Sequence, residues 1–259
     1  MWVKEHQASF LLRIEDIDFT RCRDIYTKQI IDDLNWMGFC FDETVLQSQR
    51  LGLYQDALNT LIHMGVLYPC FCTRKQIQHN TASSHATRLD NYPKTCLHLS
   101  SKERENKMKN QPFCWRLNTH KVQSILGDEL AWKDGGYQSH VFCVQDIGDV
   151  VIGRKDIGLS YHLAVVVDDA KQGVSHVIRG EDLRSSTPVH YVLQKLLGYH
   201  HPVYIHHPLL RENHALKLSK RKQSLSLKTL REQGYGVDEV IAYIQKVDLL
   251  SSAPSVRSV

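Results

Sequence analysis

Three cysteines in the middle of the chain have the types and spacing of a metal site. Cys70 and Cys72 form a C-x-C pair, and Cys96 follows in a polar stretch, 68–110, that is too poor in aliphatic residues to build a core unaided. Thiolates suit zinc in a tetrahedral site, which needs a fourth ligand from the same neighbourhood. Spacing nominates one residue first and leaves three others open: His98, then His79, His85 and Tyr92. The alternative is three thiols without a metal.

A second candidate for chemistry is Arg179. It follows Val174–Ile178, a run rich in β-branched residues that predicts a buried strand. Open α/β sheets bind ligands outside the carboxyl ends of their strands, so an arginine on the loop beyond this strand is expected in a binding site. The alternative is a surface arginine in a salt bridge.

The third candidate is a basic segment, 216–222, which contains Lys217, Lys220, Arg221 and Lys222. Such a run is usually a solvated loop. The more specific interpretation is a mobile loop that neutralises the charge of a polyphosphate during transfer.

The elements that must position these residues alternate between strands and helices. Phe10–Ile14 predicts a strand whose end carries the carboxylates Glu15, Asp16 and Asp18. Gly173 stands where a helix C′ glycine belongs, so Ala164–Asp169 is expected to be helical, and Asp168 and Asp169 structural. The remaining segments are predicted as helices at 24–37, 47–65, 186–197 and 227–247, as strands at 112–117, 138–145, 148–155 and 204–210, and as a disordered tail at 251–259.

Composition is that of an ordinary globular protein, with 42% hydrophobic and 23% charged residues in 259. A net charge of +4 permits a phosphate-rich partner without requiring one. The sequence has no apolar stretch of membrane-spanning length, and its first residues lack the apolar core of a signal peptide. The odd number of cysteines, seven, argues against a disulfide framework. We therefore expect a cytoplasmic protein with no membrane partner, acting as a monomer.

Together these stretches resemble the glutamyl branch of class I aminoacyl-tRNA synthetases, from about Phe10 to Tyr243. Three blocks carry the resemblance in order: LRIEDID at 12–18, YHLA at 161–164 with VIRG at 177–180, and KLSKR at 217–221. The last block matches the lysine-serine-lysine signature loop of the family. The resemblance implies an α/β fold, a Rossmann-type class I synthetase catalytic domain with a zinc-bearing insertion and a C-terminal helical segment.

Within this branch the chain looks most like the glutamyl-Q tRNA(Asp) synthetases, short paralogues that lack the anticodon-binding domain. The chain stops soon after the signature loop, and its C-x-C pair followed by Tyr92-x-x-x-Cys96 matches the zinc pattern of these paralogues. The resemblance thus implies one structural Zn²⁺ on Cys70, Cys72, Tyr92 and Cys96. His98 is the reserve ligand.

The resemblance also implies a reaction: L-glutamate and ATP form glutamyl-adenylate, and the glutamyl group passes to the queuosine base in the anticodon loop of tRNA(Asp). Glu15 would hold the ammonium group of glutamate, and Tyr161 would add a hydroxyl. Arg179 would pair with a carboxylate in a fork that lysine cannot match. Lys220, assisted by Lys217, would bind ATP and stabilise charge on its phosphates. Mg²⁺ would accompany ATP.

One part of the family pattern has no counterpart here. The phosphate-binding signature, a histidine-glycine motif preceded by an arginine and a serine, should lie upstream of Phe10, where this sequence has no such residues. Two alternatives therefore stay open: a remnant of a glutamyl-tRNA synthetase, and a non-catalytic module that binds glutamate or tRNA.

The resulting division has five parts. We expect an N-terminally truncated first half of the nucleotide-binding domain at 1–67, a zinc-binding and antiparallel insertion at 68–147, the second half of the nucleotide-binding domain at 148–210, the signature loop with a helical stem-contact segment at 211–250, and a tail at 251–259.

Overall fold

The computed structural model describes residues 6–73, 75–77, 92–135, 138–156, 158–209, 211–212, 216–217 and 226–251 of the chain. Its helices are α1 Asp24–Trp36, α2 Leu51–His63, α3 Ser101–Asn110, α4 Thr119–Leu126, α5 Tyr161–Lys171, α6 Thr187–Leu197, α7 Leu227–Glu232 and α8 Val237–Ser251. Its strands are β1 Leu11–Ile14, β2 Glu43–Leu46, β3 Leu67–Cys70, β4 Cys114–Leu117, β5 Glu129–Lys133, β6 Ser139–Cys143, β7 Val151–Gly153, β8 His176–Gly180, β9 Val203–His207, β10 Arg211–Glu212 and β11 Leu216–Lys217. No helix among these residues is both long and apolar enough to cross a membrane.

The chain divides into two units. One takes in Met1–Gln47, Gly180–Asp182 and His207–Val259, and the other Ser48–Arg179 and Leu183–His206. The five-part division expected from the sequence stays a prediction.

The first unit is built on the parallel pair β1 and β2, with Leu11 opposite Glu43 and Ile14 opposite Leu46. Its helix α1 contacts α7, where Arg231 lies 3.5 Å from Asp33. The polar residues that follow β1 begin at once with Glu15, whose side chain is exposed.

The second unit contains an antiparallel sheet in the order β3–β4–β7, the hairpin β5–β6 and the pair β8–β9. Helix α2 packs against α5 and α6, and α5 against β7. Large apolar side chains of these helices and of β7 are fully buried, and those of the helices recur at helical spacing on the inner faces. They include Leu61, Leu163, Val166, Val192, Leu193 and Ile152.

A buried carboxylate joins α2 to α5. Asp168 is fully buried and accepts hydrogen bonds from Arg50 Nε at 2.7 Å and from the Tyr54 hydroxyl at 2.8 Å. Burial, with the hydrogen bond to Asp168, raises the pKa of Tyr54 well above its usual range, so Tyr54 is the donor. The predicted structural role of Asp168 agrees with these contacts.

Replacing Asp168 by asparagine is expected to lower the free energy of unfolding by about 3 kcal/mol, because it leaves the Arg50 charge uncompensated at a partly buried position. Tyr54→Phe removes one neutral donor to the buried carboxylate but leaves the ion pair, and is expected to cost about 2 kcal/mol. Chemical denaturation of both variants measures the difference. If Asp168→Asn lowered the free energy of unfolding less than Tyr54→Phe, the ion pair between Arg50 and Asp168 would not be the main stabilising contact.

Two expectations about elements are wrong. The segment 227–247 is not one helix, because α7 ends at Glu232 and Gly234 has a φ of +87° before α8 begins at Val237. Arg179 lies within β8 and not on the loop beyond it, and β8 is not a buried strand, since His176 and Ile178 are exposed.

Seven elements were missed: α3, α4, β2, β3, β5, β10 and β11. The first had a readable signal in its capping box, in which the Ser100 hydroxyl accepts from the Glu103 N–H at 3.3 Å and the Glu103 carboxylate accepts from the Ser100 N–H at 2.8 Å. The described helix has no buried residues, so hydrophobic periodicity could not reveal it.

Candidate active site and metal-binding cluster

The guanidinium of Arg179 is held on three sides by neutral groups. Its Nη1 donates to His190 Nδ1 at 3.0 Å, its Nη2 to the Thr187 hydroxyl at 2.7 Å and its Nε to His206 Nε2 at 3.2 Å. Its face lies 4.7 Å from the ring centroid of Tyr204. These partners come from α6 and β9, the helix and the strand that follow β8 in the chain, so the arginine is fixed by elements other than its own strand.

Arg179 carries a charge that its surroundings do not neutralise. The side chain is only 9% exposed, and within the described ranges it makes no ion pair with a carboxylate. A buried guanidinium surrounded by neutral acceptors is favourable for an anionic ligand, because an incoming carboxylate meets a desolvated cation without displacing another anion. The surface salt bridge considered for Arg179 therefore does not match the structure.

Tyr161, the second residue predicted to bind glutamate, lies close to the side chains that hold Arg179. It begins α5 behind the N-cap Ser160, whose hydroxyl accepts from the Leu163 N–H. Its ring centroid is 5.7 Å from that of His190, which itself bonds Arg179. The structure thus brings Tyr161 and Arg179 together through His190.

The structure does not test the other residues predicted for substrate. Glu15 belongs to the first unit, whereas Arg179 belongs to the second. Lys217 is the last residue of β11, which pairs antiparallel with β10. Lys220 lies outside the described residues. The roles expected for these three residues stay predictions.

His162 continues the hydrogen-bonded chain behind His190. Its Nδ1 lies 3.0 Å from His190 Nε2. Burial, and secondarily the charge of Arg179, lowers the pKa of His162 from 6.5 to about 4. His162 is therefore neutral at neutral pH.

This low pKa has a consequence for stability. Between pH 6.5 and about 4 the unfolded chain binds a proton at His162 that the folded chain does not, so the free energy of unfolding falls as the pH is lowered through this range. The full contribution of the residue is about 3 kcal/mol, of which about 2 kcal/mol is lost at pH 5. Denaturant unfolding of wild type and His162→Gln should be measured at pH 7.5 and pH 5. Between these pH values the free energy of unfolding should fall less in the variant than in wild type. An equal fall in both would mean that His162 titrates normally in the folded protein.

The three predicted cysteine ligands form one cluster. Cys70 ends β3, Cys72 follows, and Cys96 lies in the 3-10 turn Thr95–His98. Their sulfur atoms all lie within 4.8 Å of one another, so the group could hold a metal ion. The sulfurs of Cys72 and Cys96 lie 3.6 Å apart.

Tyr92 provides a fourth donor at this cluster. Its hydroxyl oxygen lies 3.8 Å from Cys72 Sγ and accepts from the Cys96 N–H at 3.0 Å. His98, the reserve ligand, is exposed and is not part of the group. The alternatives His79 and His85 lie outside the described residues. Three thiols and one phenol are a donor set that fits a tetrahedral zinc ion.

Two cations lie beside the cluster. The Arg116 guanidinium stacks 3.9 Å from the ring centroid of Tyr92, and Lys155 Nζ donates to the carbonyls of Phe71 and Cys72, each at 3.0 Å. Three thiolates and a phenolate would leave a zinc site with net negative charge, and these cations offset it. Neither residue had a signal in the sequence, because Arg116 reaches the cluster from β4 and Lys155 from the segment after β7.

The thiols of the cluster differ in acidity. A hydrogen bond with Cys114 lowers the pKa of Cys70, and the same bond raises the pKa of Cys114, which keeps the proton. Burial raises the pKa of Cys72 and of Tyr92. Cys114 stands opposite Cys70 on β4 but is not part of the group of three.

Comparison with known proteins places this geometry in a family. Residues 1–252 match the family model described as tRNA synthetases class I (E and Q), catalytic domain. The glutamyl-Q tRNA(Asp) synthetase of Rhodobacter capsulatus is 38% identical over 232 residues, which cover 87% of this chain and 84% of that protein. A glutamate–tRNA ligase of Aquifex aeolicus is 33% identical over 247 residues, covering 94% of this chain and 51% of that protein. The chain thus spans about half the length of that ligase.

A solved structure shares the fold. The glutamate tRNA ligase of Elizabethkingia meningosepticum superposes with a TM-score of 0.72 at 21% identity, over 99% of this chain and 57% of that one. The predicted class I synthetase catalytic fold is therefore confirmed. The chain belongs to the family of class I tRNA synthetases (E and Q), catalytic domain.

Proposed function

We propose that the chain activates L-glutamate with ATP and transfers the glutamyl group to the queuosine base of tRNA(Asp). The observation that carries the proposal is the buried Arg179, whose hydrogen bonds to described residues go to neutral partners. A buried cation without an anionic partner is costly unless a ligand supplies the anion. Glutamate is distinguished from glutamine by one carboxylate, and such a site would reject ligands that leave the guanidinium unpaired.

The first step joins glutamate to AMP. A carboxylate oxygen of glutamate attacks the α-phosphorus of ATP, and the bond from that phosphorus to the bridging oxygen breaks, releasing pyrophosphate. In the second step a nucleophilic group of queuosine attacks the carbonyl carbon of this mixed anhydride, and AMP leaves. Each step shifts negative charge onto phosphate oxygens, which the cations Lys220 and Lys217 and an accompanying Mg²⁺ would offset.

The substrate contacts follow from chemistry. Arg179 binds a carboxylate of glutamate, Tyr161 adds a hydroxyl from the first turn of α5, and Glu15 holds the ammonium group. The proposed zinc ion on Cys70, Cys72, Tyr92 and Cys96 is structural. It would tie β3 to the turn that carries Cys96, in a stretch whose side chains are mostly polar.

The acceptor is the finer part of the proposal. It is supported by the name and 38% identity of the Rhodobacter capsulatus relative and by Tyr92, which stands beside the three cysteines as the resemblance to glutamyl-Q enzymes implies. A second candidate is charging of tRNA(Glu), which the 33% identical glutamate–tRNA ligase favours. A third candidate is binding of glutamate without turnover, which the contacts of Arg179 would also serve.

Two assays on the 259-residue chain separate these candidates. Glutamate-dependent exchange of pyrophosphate into ATP tests the first step, and transfer of labelled glutamate tests the acceptor. We expect exchange, and transfer to tRNA(Asp) that carries queuosine but not to tRNA(Asp) with guanosine at that position. Transfer to tRNA(Glu) alone would favour the second candidate. Calorimetric binding of glutamate without exchange would favour the third.

A further inference from the structure

Three hydrogen-bonded side chains form a continuous chain that begins at Arg179 of the candidate carboxylate site. Arg179 on β8 contacts His190 on α6, and His190 contacts His162 in the first turn of α5, with both distances 3.0 Å. His190 is 1% exposed, so water does not replace either partner. All three residues belong to the second unit.

The proton positions along this chain follow from the arginine. A guanidinium only donates hydrogen bonds, so His190 Nδ1 must accept from Arg179 Nη1. A neutral imidazole has one donor and one acceptor, so the proton of His190 lies on Nε2 and is donated to His162 Nδ1. His162 therefore carries its own proton on Nε2. Each tautomer is set by the neighbour nearer to Arg179.

The same contacts decide what the guanidinium can offer a ligand. Of its five N–H groups, three are directed to His190, Thr187 and His206. Within the described part of the chain the structure gives no partner for the second N–H of either terminal nitrogen, and one N–H from each is what a carboxylate accepts in a fork. Because His190 holds Nη1 without adding charge, it fixes the orientation of the fork and leaves the positive charge of Arg179 to the ligand.

We propose that His190, with its tautomer secured by His162, is a positioning residue that aligns Arg179 for the carboxylate of the amino-acid substrate. The inference rests on the proposed function, in which Arg179 binds a carboxylate of glutamate. It adds that two neutral histidines outside the substrate contacts determine how strongly that carboxylate is bound.

Two variants of nearly equal size test the acceptor at Nδ1. His190→Asn places an amide oxygen where Nδ1 accepts from Arg179, whereas His190→Leu has no acceptor. Calorimetry on the full chain at neutral pH is expected to show glutamate binding weakened by about 10- to 100-fold in His190→Leu and by less than about 3-fold in His190→Asn. ATP binding should be unchanged in both, and in kinetics KM for glutamate should rise more than kcat falls.

Should His190→Leu fail to fold, the same contrast is available at His162. His162→Leu removes the acceptor of the His190 N–H, and His162→Asn keeps an oxygen near that place. We expect glutamate binding to weaken by about 3- to 10-fold in the former only, since the effect reaches Arg179 through His190.

The outcomes separate the inference from the proposed function. If wild type binds glutamate and the leucine variants bind it equally well, the inference is overturned and the proposed function stands. Equal weakening of glutamate and ATP binding would indicate a structural role for His190 and also overturn the inference. If wild type itself binds no glutamate, the proposed function fails and the inference fails with it.

Discussion

Arg179→Lys is expected to lower kcat/KM for glutamate by about 100- to 1,000-fold while the protein stays folded. A lysine amine cannot reach His190, Thr187 and His206 together and still present a fork to a carboxylate, because its three donors radiate from one nitrogen. Glutamate-dependent pyrophosphate exchange over a range of glutamate concentrations measures the effect. Thermal unfolding checks that the fold is retained.

The matched control is Arg154→Lys. Arg154 is a partly exposed arginine that pairs with Asp156, so the same substitution there should leave exchange within about 2-fold of wild type. Exchange near the wild-type level in Arg179→Lys would refute the assignment of Arg179 to the substrate carboxylate. Loss of exchange with a large fall in melting temperature would instead make Arg179 a structural residue.

The sequence singled out Arg179 as a candidate but could not indicate which groups hold its side chain. An arginine at the end of a β-branched run is a local signal, and the helix at Tyr161–Lys171 was predicted from the position of Gly173. The bonds to Thr187, His190 and His206 exist because α6 and β9 pack beside β8. No local sequence pattern predicts that packing, so these hydrogen bonds could be found only in the structure.

For the metal cluster, too, the sequence indicates candidate residues but not the contacts between elements. Residue type was enough to predict Cys70, Cys72 and Cys96, since thiols that share a polar stretch have few other uses. The tyrosine was one of four open choices until the resemblance to glutamyl-Q enzymes singled it out. Arg116 was missed because it reaches the ring of Tyr92 from the middle of β4, where its Nη1 also donates to the Asp149 carbonyl at 2.6 Å.

Cys70→Ser is expected to reduce bound zinc from about one ion per chain to less than about 0.1 after dialysis against a mild chelator. Serine keeps the size of the side chain but removes a soft thiolate ligand, and the remaining donors are too few for a closed tetrahedral site. The turn Thr95–His98 would lose its link to β3, so limited proteolysis within 68–100 should be accelerated by at least about 10-fold. Metal analysis and proteolysis of the same preparation measure both effects.

Controls separate the metal from the loss of any cysteine and from the choice of the fourth ligand. Cys143→Ser changes a half-buried cysteine outside the group and should retain zinc. Tyr92→Phe removes one hard donor and is expected to weaken zinc by about 10- to 100-fold, whereas His98→Ala should have no effect because His98 is exposed. If His98→Ala weakened zinc binding and Tyr92→Phe did not, His98 would be the fourth ligand. Unchanged zinc in Cys70→Ser would mean that the three thiols pack together without a metal, which their separation of less than 4.8 Å also permits.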